Sequence, residues 1–337
     1  MNFYIRPAAK EDLESLLNLA HQFYLLNLPK DKRLIQQKID TSLKSFSGEL
    51  PIEKAQYFFV GVDKENDKLF GCSQIIAQKG TEDNPNYSFQ IIKTEKFSPD
   101  LSVGFIHQVL RLKLETNGPT EIGGLVVDKG YRKRPEKVGR LMSLSRFLYV
   151  GLNKEKFKQE ILSDMAPPLT EKGRSEFWEA LGRRFTGMPY KEADQLSQQN
   201  KDFIKSLFPE EDIYLSLLDS KARLVIGQVG EETRPALKML ESLGFKYINE
   251  VDPFDGGPHL KVNKDEVKII KEGQRIPFKN AEVNKYNGQV LVASGEGGNF
   301  RSGVSPYKIE EGSLMLPEVS RECLGLKDGQ ECFIYVI

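Results

Sequence analysis

This chain of 337 residues contains few cysteines, carries no formal net charge and lacks long apolar runs. Its three cysteines, Cys72, Cys323 and Cys332, are too few and too scattered for a disulfide framework or a zinc site, which favours a reducing compartment. The formal net charge is +0, so no global field attracts nucleic acid or an anionic membrane. No apolar run approaches the roughly 20 residues that a membrane-spanning helix needs, and the N-terminus lacks the apolar core of a signal peptide. We therefore expect a globular, cytoplasmic protein without nucleic-acid or membrane partners.

Histidine is also rare, and its distribution argues against a metal site. His21, His107 and His259 are widely separated, and none has a ligand partner at metal-binding spacing. We expect no bound metal, and a surface or structural role for each histidine. Cys72 lies in a predicted strand, where a small buried apolar side chain is the more common role.

Hydrophobic periodicity predicts a mixed α+β fold. Strands are predicted at residues 3–5, 56–62, 69–78, 87–92, 122–127, 224–229 and 245–251, and helices at 12–20, 34–46, 137–152 and 234–243. Residues from about 153 to 223 are predicted to be a helical elaboration, in which Phe177, Trp178, Leu181 and Phe185 form one buried face. From about residue 262 the pattern changes to short β-like runs with glycine turns. We predict a domain at 1–261 and a small β subdomain at 262–337.

The most informative stretch runs from Leu125 to Met142, where a short apolar strand leads into a basic turn and then a helix. Backbone N–H groups and the helix dipole favour an anion at a helix N-terminus, and cationic side chains add charge-assisted contacts. The spacing matches neither a Walker loop nor a dinucleotide fingerprint. An ordinary basic surface turn is the alternative, and Pro135 removes one N–H from the loop. The predicted phosphate-binding residues are Arg132, Lys133, Arg134, Gly139 and Arg140.

This loop resembles the pyrophosphate loop of the GCN5-related N-acyltransferases. The run Ile5-Arg6-Pro7-Ala8 with the following helix, and the stretch from Pro235 to Phe245, resemble the first strand–helix and last helix–strand units of that superfamily. The resemblance implies a mixed sheet with flanking helices and acyl-CoA as co-substrate. It also implies that the backbone from about Gly124 to Val127 binds the thioester carbonyl and pantetheine, with Leu125 and Val127 contacting CoA.

A narrower resemblance covers most of the chain. The segments 47–51, 145–147, 177–182, 226–229 and 255–258 are together similar to arginine N-succinyltransferase. The resemblance implies transfer of succinyl from succinyl-CoA to the α-amino group of L-arginine, and it is compatible with a homodimer.

Two departures from the family pattern leave alternatives open. Gly230 stands where members carry a histidine taken as the proton donor, and Tyr24 to Pro29 replaces a glycine-rich segment. The chain is then either the succinyltransferase, a related acyltransferase with another amine or acyl group, or a catalytically altered binding or regulatory protein on the same scaffold.

Glu121 is the predicted catalytic base. It stands four residues before Leu125, near the start of the same strand, and the superfamily resemblance implies this role because members that use a glutamate base often place it there. Acyl transfer to an amine needs a group that accepts the amine proton. The alternative is a solvated carboxylate at a strand start. Glu231 and Glu232, beside the missing histidine, are more typical of a solvated turn.

Overall fold

The computed structural model describes residues 1–22, 28–170, 173–197 and 201–337. These residues form two compact units. The first contains Met1–Gln78, Thr120–Gln159 and Asn263–Ile337, and the second contains Lys79–Pro119 and Glu160–Val262. No helix within the described ranges is long and apolar enough to cross a membrane. The boundary at residue 262 stays a prediction.

Runs of consecutive strands and runs of consecutive helices follow one another along the described chain. The strands are β1 Phe3–Pro7, β2 Gln56–Asp63, β3 Lys68–Ile76, β4 Asn86–Ser98, β5 Val103–Glu115, β6 Thr120–Val127, β7 Glu160–Asp164, β8 Ile213–Tyr214, β9 Lys246–Val251, β10 Pro258–Asn263, β11 Gln274–Pro277, β12 Gly288–Ser294, β13 Arg301–Glu310, β14 Ser313–Met315 and β15 Glu331–Val336. The helices are α1 Leu13–His21, α2 Lys32–Phe46, α3 Val138–Leu152, α4 Glu176–Ala180, α5 Gly182–Thr186, α6 Tyr190–Ser197, α7 Asp202–Leu207, α8 Ser220–Val225, α9 Arg234–Ser242, α10 Lys268–Glu272 and α11 Glu318–Leu324.

The first unit is built on one antiparallel sheet with the strand order β11-β15-β12-β13-β1-β2-β3-β6, and β14 pairs with β13. The C-terminal strands, predicted as β-rich, join this sheet where β13 pairs with β1. Helices α1 and α2 present Leu16, Ile35 and Ile39 to apolar side chains of β2, β3 and β6, such as Val60 and Val126. Because the apolar positions of each helix recur every three or four residues, one face of each is buried.

Helix α3 is buried along most of its length and packs against aromatic side chains of the first unit. The Tyr149 ring lies 5.0 to 5.3 Å from the rings of Tyr57, Phe46, Phe59 and Phe300. Edge-to-face aromatic packing of this kind adds to the hydrophobic burial. The packing fixes the position of α3, and therefore of the turn that precedes it.

The second unit has the strand order β7-β10-β9-β4-β5-β8 and its own apolar core. Trp178 of α4 is fully buried, stacks on Phe254 with 5.3 Å between ring centroids, and donates its indole N–H to the Met188 carbonyl at 2.9 Å. The predicted core role of Trp178 is confirmed. Helices α4 to α9 lie in this unit, as the predicted helical elaboration requires.

Three local predictions are wrong. Residues 160–164 form strand β7 within the stretch predicted to be helical, and residues 224–229 are the end of helix α8 and a loop rather than a strand. Phe185 is 43% exposed because the helix breaks between α4 and α5, so position i+8 does not continue the buried face. A side chain at Gly182, the first residue of α5, would overlap the Trp178 ring.

Candidate active site

Strand β6 carries an irregularity where the resemblance places the thioester. In its pairing with β3, Gly123 lies opposite Gln74 and Val126 opposite Cys72, so Gly124 and Leu125 together oppose one residue. This is a β-bulge, in which the extra residue leaves the hydrogen-bonding ladder. Gly124 adopts φ +59°, a left-handed conformation that glycine tolerates best, and an added Cβ would lie 3.3 Å from Cβ of Gln74. The bulge therefore redirects backbone polar groups at Gly124 and Leu125, both half-buried.

The turn after β6 is braced from helix α1. The Asp128 carboxylate accepts the Gly130 N–H at 2.7 Å and the side-chain amide of Gln22 at 2.6 Å. The Gln22 side-chain oxygen in turn accepts the Lys129 N–H at 3.1 Å. These hydrogen bonds fix the backbone conformation of the exposed loop at residues 128–130.

The predicted phosphate residues all surround the start of α3. Arg132, Lys133, Arg134 and Arg140 are exposed, and Lys137 adds a fifth cation that the sequence prediction missed. Their proximity to one another follows from the short turn, and the positive charge is concentrated at one helix end. Like charges held together this way favour an anion between them.

Two of these arginines also hold the loop itself. Arg132 donates through Nε to the Val127 carbonyl at 3.1 Å, and Arg134 donates through Nε to the Gly130 carbonyl at 2.9 Å. The Arg134 guanidinium lies 4.1 Å from the ring centroid of buried Tyr131, a cation–π contact. Lys133, with φ +60°, and Arg140 have no such bracing contact in the described residues, although they carry the same charge.

The N-terminus of α3 is open toward solvent. Its N-cap is Lys137, with φ +50° and no side-chain cap hydrogen bond. The N–H groups of Val138 and Gly139 are thus left for another acceptor, whereas the Arg140 N–H donates to the Lys137 carbonyl at 2.8 Å. Gly139 lies against the end of β6, where an added Cβ would be 3.3 Å from Cγ2 of Val127, so a small residue suits this close approach.

Glu121 lies on β6 opposite Ile76 and is half-buried. Its electrostatic partner is Lys38 of α2, a residue that the sequence prediction missed. Burial lowers the pKa of the Lys38 ammonium, and the charges of Cys72 and Glu121 oppose this shift. Lys38 donates to the Gln74 side-chain oxygen at 2.8 Å, and Gln74 donates to Gln56 at 3.0 Å. A polar cluster therefore adjoins the bulge on the face covered by α1 and α2.

A buried arginine approaches the bulge from helix α3. Arg146 is 4% exposed and donates to the Gly123 carbonyl at 3.2 Å, to the Ser143 carbonyl at 3.2 Å and to the Ser143 hydroxyl at 2.6 Å. In the described part of the chain no carboxylate pairs with it, and burial lowers its pKa to about 10. An unpaired buried cation is costly, so this group invites an anionic ligand.

The sequence signal for these missed residues was weak but present. Lys38 lies three residues after Ile35 and one before Ile39, on the buried stripe of α2, and Gln74 interrupts the apolar strand β3. A polar side chain on an otherwise apolar face indicates a buried polar contact.

The departures from the family pattern lie elsewhere in the chain. In the second unit Gly230 donates its N–H to the Ala166 carbonyl at 2.9 Å, and an added Cβ would lie 3.0 Å from the Pro167 carbonyl oxygen. Glu231 and Glu232 are both exposed, as a solvated turn requires. Of the segment from Tyr24 to Pro29, residues 24–27 lie outside the described residues, and Leu28 is buried.

Comparisons with known proteins agree on one family. The model of the arginine N-succinyltransferase beta subunit family matches residues 3–269. An arginine N-succinyltransferase from Yersinia pestis is 32% identical over 335 residues, covering 96% of this chain and 95% of that protein. A second, from Citrobacter koseri, is 35% identical over 275 residues, covering 81% of this chain and 79% of the relative.

A solved structure extends the agreement to the fold. The arginine/ornithine succinyltransferase subunit AI from Pseudomonas aeruginosa superimposes with a TM-score of 0.87 at 28% identity, covering 99% of this chain and 98% of that one. The mixed sheet with flanking helices predicted from the superfamily resemblance is confirmed. With the family model covering most of its length and relatives more than 30% identical, the chain belongs to the arginine N-succinyltransferase family.

Proposed function

We propose that this protein transfers the succinyl group of succinyl-CoA to the α-amino group of L-arginine. The amine nitrogen attacks the thioester carbonyl carbon, the carbon–sulfur bond breaks, and the products are N2-succinyl-L-arginine and CoA. One observation carries the proposal: in a chain of this family, a bulged strand at Gly124 and Leu125 runs directly into a cationic turn and an open helix N-terminus.

The bulge and the basic turn together suit acyl-CoA. Backbone groups released from the ladder at Gly124 and Leu125 would bind the carbonyl oxygen, whose negative charge grows as the tetrahedral intermediate forms. The diphosphate would bind the first N–H groups of α3, with Lys133, Lys137 and Arg140 contributing charge. Arg132 and Arg134 contribute mainly by holding the loop in shape.

Glu121 is the proposed proton acceptor. The attacking amine must lose a proton, and a carboxylate beside the bulge can accept it directly or through one water. Lys38 acts as a positioning residue, because its side chain interacts electrostatically with Glu121 from helix α2.

The preference for succinyl over an uncharged acyl group is assigned to Arg146. Succinyl ends in a carboxylate, and Arg146 is a buried cation bonded to Gly123, the residue that immediately precedes the bulge. A carboxylate and a guanidinium form the strongest class of hydrogen-bonded pair in proteins.

The proposal is tested by an assay of free thiol release from succinyl-CoA with and without L-arginine. Arginine-dependent release supports it. CoA binding without turnover for arginine or any other amine would instead favour a binding protein, the reading that Gly230 motivates. Turnover with a different amine would keep the reaction class and replace the substrate.

Reversing one charge in the turn should weaken CoA binding. We expect Lys133→Glu to raise the CoA Kd by about 10-fold, because the phosphates then face a carboxylate instead of an ammonium. Isothermal titration at low salt measures the change. Lys10→Glu, an exposed substitution distant in sequence from the turn, is the matched control and should leave the Kd unchanged. Equal affinities for all three proteins would remove Lys133 from the phosphate site.

We further propose that the protein acts as a homodimer in the cytoplasm. The three cysteines are free, buried thiols, which fits a reducing compartment. Strands β4 and β5 form a long hairpin with exposed Phe97, Leu101, Phe105 and Ile106, each more than 60% accessible. The register of the hairpin places Phe97 and Ile106 on one face and Phe105 on the other, and several large exposed apolar side chains at one hairpin are typical of an interface.

The dimer is tested by sedimentation velocity. Phe105→Lys should shift the protein toward monomer, since a charge in an apolar interface is costly. Leu224→Lys, equally exposed but outside the hairpin, is the control. A wild-type monomer at all concentrations would contradict the dimer.

A further inference from the structure

A buried histidine of the second unit has no hydrogen-bond partner. His259 lies on β10, is 1% exposed, and within the described ranges neither ring nitrogen forms a hydrogen bond. Buried polar atoms in native proteins are almost always satisfied, and each exception needs an explanation such as an ion. A ligand bound between His259 and its neighbours would account for the missing hydrogen bonds.

Those neighbours are two carboxylates. His259 Nε2 lies 3.3 Å from Asp164 Oδ1, and that oxygen is likewise buried without a hydrogen-bond partner in the described chain. The ligand atoms of Asp164, Asp252 and His259 all lie within 4.8 Å of one another. Two ligands on one tetrahedral zinc ion, at the usual bond lengths, are roughly 3.3 Å apart. Asp164 Oδ1 and His259 Nε2 are thus spaced like two ligands of one metal ion, but they are not aligned for a hydrogen bond.

Neighbouring side chains contact His259 and Asp164 in the way that side chains around a metal site contact its ligands. His259 Nδ1 lies 4.0 Å from Glu250 Oε2, on the ring edge opposite Asp164. Lys79 pairs with the other oxygen of Asp164. Metal-binding histidines commonly direct their second nitrogen to a carboxylate, which fixes the tautomer.

Asp252 is held by its own turn. Its Oδ1 accepts the backbone N–H groups of Phe254 at 2.7 Å and Asp255 at 3.2 Å. A carboxylate has two oxygens, so this capping role leaves Oδ2 as the ligand atom. Asp252 could then become the third metal ligand through a change in its side-chain conformation, without movement of the backbone.

The charges around the cluster leave room for a cation. Lys79 pairs with Asp164 and Lys113 pairs with Glu250, whereas Asp252 lies beside Asp164 and His259. Beyond them, Lys201 and Lys261 act electrostatically on Asp164 and Glu250, and two further acids, Glu115 and Glu160, pair with Lys261. Counting the cluster and these surrounding groups together, five acids and four lysines leave a net charge of one negative unit.

We propose that Asp164, Asp252 and His259 form a site for one divalent transition-metal ion, with Zn²⁺ as the best match to the ligand set, and that Glu250 orients the imidazole. One histidine nitrogen, two carboxylate oxygens and one open position are an accepted zinc environment. The rival is a metal-free cluster in which the His259 ring bridges Asp164 and Glu250 directly. The proposal is independent of the acyltransferase reaction.

Metal binding is measured directly on the full chain after chelator treatment and dialysis. Isothermal titration with Zn²⁺ should give one equivalent, and Co²⁺ should give visible absorption bands of four-coordinate geometry. We expect His259→Phe, which keeps a ring but no ligand atom, to weaken Zn²⁺ binding by at least about 100-fold. His21→Phe, at an exposed histidine, is the matched control and should bind like wild type.

A second variant guards against a folding defect. Glu250→Gln keeps the side-chain volume and should weaken Zn²⁺ binding by about 10- to 100-fold through the imidazole alone. Zn²⁺ should also raise the unfolding temperature of the wild type and not of His259→Phe. Wild-type binding no tighter than that of folded His259→Phe, or binding unaffected by both variants, would overturn the site and favour the metal-free cluster.

Discussion

Replacing Glu121 by glutamine is expected to lower kcat for arginine succinylation by about 10²- to 10⁴-fold while the CoA Kd stays unchanged. Glutamine has the same size and remains polar, but it cannot accept the amine proton. The effect should therefore fall on the chemical step and not on binding. Steady-state kinetics together with isothermal titration separates the two.

The control for this variant is Glu53→Gln, an exposed carboxylate of the same unit, which should leave kcat unchanged. A further readout is the pH profile of kcat/KM, whose acidic limb should disappear when the general base is removed. Wild-type kcat in Glu121→Gln would assign the proton to another group and leave Glu121 as a partly solvated strand residue.

Replacing Arg146 by methionine is expected to reduce the preference for succinyl-CoA over acetyl-CoA by about 10- to 100-fold. The loss of one charged hydrogen bond to the succinyl carboxylate corresponds to this range. Acetyl has no carboxylate, so the substitution should not weaken its binding in this way. The ratio of kcat/KM for the two donors measures the change, because any general damage to the site affects both donors and cancels.

The conservative variant Arg146→Lys sharpens the result. It retains the charge but not the two-pronged geometry, so it should recover part of the lost preference. If Arg146 serves only to join α3 to β6 through the Gly123 carbonyl, both variants would lower stability or kcat and leave the donor ratio at its wild-type value.

The basic turn was predictable because its signals are local. A β-branched strand end, three consecutive cations and a glycine at the start of an apolar helix all lie within 18 residues, from Leu125 to Met142. The close approach of Gly139 to Val127 is itself a consequence of a strand connected to a helix by a short turn. Family-specific segments spread along the chain then identified the scaffold, and the comparisons confirmed it.

The roles of Lys38 and Arg146 were not predictable in the same way. Each lies on a helix whose packing against β3 or β6 decides what it touches, and the sequence shows only a charged residue within an apolar stripe. Strand β7 was missed for a related reason, since its five residues lie between helices and are too few for a clear alternation.

Residues that are close together in the sequence fix where strand β6 ends, where helix α3 begins and that positive charge lies between them, and the sequence motifs also identify the family. Contacts between distant side chains depend instead on how the helices and strands pack. Lys38 and Glu121 come together across more than 80 residues, and Asp164 and His259 across more than 90. The reason is physical: turns and periodicity act over a few residues, whereas burial and charge pairing depend on the packing of the whole unit.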